Sequence, residues 1–140
     1  MLTPLEHRAL ARLDRDRIVR LTQDLVRIPT DNPPGSESVA AQFLATELAA
    51  LGCSTELQSL APGRANLLAC LGDADARPHP ILNGHVDTVP AGLGWTRGPY
   101  SGEVVEGRLF GRGSADMKGG VAAMLAAVEA LVGSQGFFAR

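Results

Sequence analysis

Two short stretches carry residues able to do chemistry. The first is "NGHVDTVP" at 83–90, where His85 and Asp87 stand two residues apart behind a short apolar run. In an extended segment, side chains at i and i+2 leave the same side. A histidine that binds a metal through one ring nitrogen usually gives its other N–H to a carboxylate or carbonyl. His85 and Asp87 therefore suit a metal ligand with its orienting or catalytic carboxylate. They also suit a loop histidine beside a capping aspartate. Gly84 removes a side chain where another group must come close. The second stretch is "GRLFGRGSADMKGG" at 107–120. It places Asp116 among glycines just before an apolar helix, either as an N-cap or as a carboxylate held on a tight turn at the mouth of a sheet, where α/β proteins place ligands. Phosphate loops are excluded. Lys118 lies between Met117 and Gly119, which breaks the G-x-x-x-x-G-K-[ST] pattern, and no G-x-G-x-x-G occurs.

The elements that must position these residues follow from periodicity. Residues 14–27 carry Ile18, Val19, Leu21, Leu25 and Val26 at helical spacing, and Pro29 with 31–35 ends that helix. Ser36 or Ser38 can cap a second helix whose apolar face uses Val39, Phe43, Leu44, Leu48 and Leu51, with Gly52 at its C-terminal end. Residues 53–60 alternate as a half-exposed strand, 65–71 read as a more buried one, and "ILNGHVDT" reads as a short strand running into a loop. "ARPHP" is a turn, with His79 an exposed turn residue. Residues 91–102 form a long connection around Trp95 and Tyr100. "EVVEGRLFGRG" is a hairpin turning at Glu106 and Gly107, and a helix runs from about Lys118 to Val132. This mixed order predicts an α/β fold.

Composition excludes some function classes. The 140 residues are 45% hydrophobic and 20% charged with net charge −2, which provides no electrostatic pull toward nucleic acid or an acidic membrane. Thirteen residues are basic, and Lys118 is the one lysine among them. Cys53 and Cys70 form no C-x-x-C pair and are expected as reduced thiols. Charges at Glu6, Arg8, Arg12 and Asp14 occupy the place of a signal peptide's apolar block, and no run reaches the ~20 apolar residues of a membrane span. A cytoplasmic location is expected.

Together with "LVRIPTDNPPGSE" at 25–37, the two motifs resemble the co-catalytic zinc amidohydrolase and metallopeptidase family that includes acetylornithine deacetylase, succinyl-diaminopimelate desuccinylase, aminoacylase-1 and glutamate carboxypeptidase. The resemblance implies the N-terminal half of a mixed-sheet zinc-peptidase catalytic domain with helices packed on the sheet. Residues 1–140 would be its N-terminal part, without the dimerisation domain and the C-terminal catalytic segment. It implies His85 as a ligand of one metal ion, Asp116 as a carboxylate bridging two, and Asp87 as the catalytic carboxylate beside His85, with a cis peptide bond between Asp116 and Met117. The implied cofactor is Zn²⁺, two ions in the complete site, with Co²⁺ or Mn²⁺ able to substitute. The implied reaction is hydrolysis of the amide bond of an N-acyl amino acid or small peptide, by a homodimer in the complete protein. The family also uses a Glu-Glu pair, a further acidic ligand and a late histidine. After Asp116 this chain has only Glu129 and no histidine, and His7 and His79 match no ligand position. The expectation is a fragment with weak metal binding and little turnover. The rival expectation is a non-catalytic half-domain that acts as a binding or regulatory module.

Overall fold

Helix α1 (Pro4–Leu10) opens the chain, followed by α2 (Arg15–Val26), α3 (Ser38–Ala50), β1 (Ser54–Ala61), β2 (Arg64–Cys70), β3 (Glu103–Val105), β4 (Arg108–Phe110) and α4 (Gly119–Val132). The computed structural model describes residues 1–73 and 80–134; the turn expected at His79 and the aromatic tail residues Phe137 and Phe138 lie outside them.

Local chemistry accounts for the helix ends. Helix α1, not anticipated above, begins with a capping box. The Thr3 hydroxyl accepts from the Glu6 N–H at 3.3 Å, the Glu6 carboxylate accepts from the Thr3 N–H at 2.5 Å, and Pro4 takes the first helical position. Asp14 caps α2 by accepting from the N–H groups of Asp16 and Arg17 at 2.8 and 3.1 Å. The serine cap expected for α3 does not form. Ser36 Oγ donates to the Pro29 carbonyl instead, Ser38 is already helical, and Glu37 occupies the cap position without a side-chain cap bond. The buried Glu37 carboxylate is taken by Arg64 of β2, with Nη2 at 2.9 Å and Nε at 3.2 Å. Gly52 follows α3 with φ +87°, the left-handed residue expected there.

The strands form two antiparallel pairs. β1 and β2 pair with Leu57 opposite Leu67, and β3 and β4 form the expected hairpin through Glu106 and Gly107, both at positive φ. β2 is less buried than its composition predicts. Leu67 packs against the core, whereas Leu68 on the opposite face is 52% exposed, because α3 packs on these strands and nothing described covers their other face. Among the described residues, the strand expected at "ILNGHVDT" has a ladder partner only at its end. Asp31 and Thr88 form a parallel bridge, with the Thr88 N–H on the Thr30 carbonyl at 2.9 Å and the Asn32 N–H on the Thr88 carbonyl at 2.8 Å.

The core gathers Leu21 and Leu25 of α2, Leu44 of α3, and Ala122 and Leu125 of α4, with Leu67 and Val86 packed against it. Leu21 and Leu25 are fully buried, each contributing about 1.5–3 kcal/mol. Val19 and Val39, expected on apolar faces, stand exposed. The free thiols fit their expectation, with Cys53 buried and Cys70 partly so.

Arg17 of α2 ties the three core helices together. Its guanidinium donates to Glu129 of α4 at 2.8 and 3.0 Å and also pairs with Glu47 of α3. Replacing Arg17 by Met leaves two partly buried carboxylates facing each other. The expected cost is about 2 kcal/mol, measured as a lowered urea unfolding midpoint with an unchanged m-value.

Candidate metal centre

Val86 separates His85 from Asp87 and packs into the helical core, while its two neighbours line a pocket of about 300 Å³ on the other side. The segment is fixed from both flanks. The buried Thr30 hydroxyl donates to the Val86 carbonyl at 2.6 Å, and the Thr88 bridge follows directly. Gly84 allows the approach to α4: a Cβ there would stand 3.1 Å from Met117 Cε and 3.3 Å from Val121 Cγ2.

Asp116 comes from the opposite wall. The irregular turn Ser114–Lys118 starts at Gly113, whose φ is +79° and where a Cβ would lie 2.5 Å from Thr88 Cγ2. Asp116 has extended dihedrals (φ −130°, ψ 97°), and the bond to Met117 is cis, as the resemblance implied. Helix α4 starts beyond it, with Lys118 at the cap position. Asp116 is therefore not an N-cap, and its side chain is 87% exposed. Lys118 is fully buried and donates from Nζ to the Ile28 carbonyl at 2.8 Å, tying the turn to the chain just beyond α2. Burial pushes its ammonium down to about 8, against the pull of Asp31.

The three candidate side chains meet. His85 Nε2 is 3.0 Å from Asp116 Oδ1, and His85 Nδ1 is 3.1 Å from both the carbonyl and Oδ1 of Asp87. All three partners are acceptors, two at Nδ1 and one at Nε2, so the charged ring donates from both nitrogens and the neutral ring is expected to keep its proton on Nδ1. Burial works against the charged ring, but the Asp87 carbonyl and the carboxylates of Asp116 and Asp87 outweigh it and raise the His85 pKa. Asp87 is held below the usual carboxylate range, first by a hydrogen bond from Asn32 and, against burial, by the His85 charge.

An imidazole nitrogen and a carboxylate oxygen are the donor types that zinc takes. Two such ligands of a tetrahedral ion lie about 3.3 Å apart, close to the 3.0 Å seen here. The pair fits one edge of a metal centre in kind and spacing. It is not a full ligand set: among the described residues, no group of three or more His, Cys, Asp or Glu is arranged to hold a metal ion.

The sequence reading missed the groups behind this pair. By spacing and composition, Asp31 and Asn32 read only as helix breakers and Tyr100 only as part of a connection. Tyr100 Oη donates to the Asp31 carboxylate at 2.5 and 2.7 Å, Thr88 Oγ1 donates to it at 3.2 Å, and Asn32 Nδ2 donates to Asp87 Oδ2 at 3.0 Å. Polar residues directly before Pro33 were the available signal. The connection at 91–102 is held down by Trp95, whose Nε1 donates to the Ala91 carbonyl at 2.7 Å, and by Arg112, which stacks 5.3 Å from the Trp95 ring.

Residues 81–136 match the family model described as peptidase family M20/M25/M40. Among curated proteins, the chain is 44% identical over 122 residues to a succinyl-diaminopimelate desuccinylase of Methylorubrum extorquens (strain PA1), covering 83% of this chain and 31% of the relative. It is 36% identical over 129 residues to an N-formyl-4-amino-5-aminomethyl-2-methylpyrimidine deformylase of Halalkalibacterium halodurans, covering 87% and 30%. Among solved structures, human carnosine dipeptidase 1 superposes with a TM-score of 0.77 at 28% identity, over 94% of this chain and 32% of that one. These matches agree in making the M20/M25/M40 peptidase family what this chain is similar to, and its α/β fold corresponds to part of the dipeptidase structure. It spans about a third of the length of the curated relatives it matches.

Tyr100 is the chain's one tyrosine, so phenolate absorbance reports this site alone. Burial, then the Asp31 hydrogen bond and charge, push its pKa up to about 12, against about 10 in an unfolded chain. The folded chain binds this proton more tightly. The resulting stability is complete below pH of about 10 and is lost as pH rises through about 12. Spectrophotometric titration should place the folded midpoint near 12, and Asp31→Asn should lower it.

Proposed function

We propose that the chain contributes one edge of the metal centre of a metal-dependent hydrolase that cleaves the amide bond of an N-acyl amino acid or small peptide. The observation that carries this reading is the placement of His85 Nε2 3.0 Å from Asp116 Oδ1, with Asp87 behind the ring. His85 and Asp116 would hold Zn²⁺, with Asp116 bridging to a second ion, and Co²⁺ or Mn²⁺ could substitute. Asp87 is the catalytic carboxylate that keeps the proton on His85 Nδ1 and turns Nε2 toward the pocket. A bound ion supplies Lewis-acid polarisation of the scissile carbonyl and lowers the pKa of water. Asp116 Oδ1 faces His85, and the 87% exposure of the side chain leaves its second oxygen room to take an ion. Relatives named as a desuccinylase and a deformylase, and a structural neighbour named as a dipeptidase, support a small N-acyl or peptide substrate.

Residues 1–140 act as the N-terminal part of a longer catalytic domain in this reading. The general base and the remaining ligands come from outside these residues, and the complete protein is a cytoplasmic homodimer whose partner is its small-molecule substrate. No helix among the described residues is long and apolar enough to cross a membrane.

Calorimetry with Zn²⁺ tests the site. The 140-residue chain should bind weakly, and Asp87→Asn should lose a further 10–100-fold, roughly the range for an outer partner of a ligand. His85→Ala and Asp116→Ala should lose at least as much. Zn²⁺ affinity unchanged in His85→Ala would remove the metal centre from the proposal. Turnover of N-acyl amino acids by this chain should be negligible, and turnover that vanishes in His85→Ala would show the chain to be sufficient by itself.

A further inference from the structure

We propose that Asn32 is a positioning residue that fixes the Asp87 carboxylate and, through it, the ring of His85. The functional meaning of this role rests on the metal-centre reading above, but its geometry does not. Asn32 Nδ2 donates to Asp87 Oδ2 at 3.0 Å, Asp87 Oδ1 holds His85 Nδ1 at 3.1 Å, and His85 Nε2 faces Asp116 Oδ1 at 3.0 Å. The four side chains form one relay in which each carboxylate oxygen of Asp87 has a separate task. An ionised carboxylate only accepts, so the Asn32 atom that faces it must be the NH₂ group. The Asp87 side chain is 35% exposed. With Oδ2 released, its carboxylate is free to turn toward water, and Oδ1 leaves the imidazole.

Asn32 can act as an anchor because the peptide group that joins it to Asp31 is hydrogen-bonded at both its N–H and its carbonyl. Its N–H is bonded to the Thr88 carbonyl at 2.8 Å, and the Asp31 carbonyl accepts from the Gly35 N–H at 2.9 Å. The Asp31 side chain is clasped by Tyr100 and Thr88. Pro33 and Pro34 follow directly, and their rings restrict the chain further. The carboxamide is therefore presented from a fixed stem. A serine at this position would be too short to reach, and an aspartate would repel Asp87.

The test is the tautomer of the neutral His85 ring, read from ¹⁵N imidazole shifts of the metal-free full chain above the ring's titration, with the signal assigned by its loss in His85→Gln. The wild type should hold the proton on Nδ1. Asn32→Ala and Asn32→Asp should each lower the Nδ1–H to Nε2–H ratio by about fivefold, with the amide resonances of α2, α3 and α4 unmoved. A ratio unchanged in both folded variants overturns the proposal. Should neither variant fold, the wild-type Asn32 carboxamide decides. A slowly exchanging, shifted Hδ2 supports the anchor, and rapid exchange of both Hδ2 protons overturns it. Because no metal enters this measurement, a chain that shows the tautomer shift but takes up no Zn²⁺ keeps the anchor and loses the metal-centre reading. A chain that binds Zn²⁺ through His85 without the shift does the reverse.

Discussion

The site depends on one alternation. Val86 packs against the core formed by α2, α3 and α4, so its neighbours on either side are turned out to the pocket. Apolar burial thereby sets the direction of two polar side chains. Alternation alone would leave the segment free to slide. The Thr30 hydroxyl on the Val86 carbonyl and the parallel bridge at Thr88 fix its register, and a slip of one residue would bury His85 in place of Val86.

The opposite wall is set by contact instead of pairing. Gly84 removes a side chain that would hold segment 83–88 away from Met117 and Val121, and Gly113 removes one that would meet Thr88 of that segment and Lys118 of its own turn. The buried Lys118 is costly, since its ammonium leaves water for the Ile28 carbonyl. In return the turn that carries Asp116 is pulled against the Ile28 carbonyl, on the same segment that leads to Thr30 and Asn32. Both walls of the pocket therefore hang on residues 28–32, which the sequence marks only by prolines and short polar side chains.

The helices and the β3–β4 hairpin were legible because each is specified by local chemistry: apolar spacing in α2 and α4, Gly52 after α3, and Glu106–Gly107 in the turn. Helix α1 is equally legible in its Thr3–Glu6 capping box. The burial of β2 was not legible, since Leu67 and Leu68 are the same residue type and only the position of α3 distinguishes them. The "ILNGHVDT" segment has strand composition without a ladder along its length, and hydrogen-bond partners are a tertiary property. His85, Asp87 and Asp116 could be picked out by type and setting. Asn32, Thr30, Asp31 and Tyr100 could not, because their roles exist only once segments 55 to 69 residues apart meet.

The two walls differ in how much order they already possess. His85 and Asp87 are held by the backbone, by each other and by Asn32, whereas the Asp116 side chain is 87% exposed and, among the described residues, is hydrogen-bonded to His85 alone. Freezing a side chain carries an entropic cost. On the imidazole wall that cost was met during folding, and on the carboxylate wall it remains outstanding. One wall of the pocket is thus ordered before any ligand arrives, while the other keeps its conformational freedom, and the two properties belong to different segments of the chain.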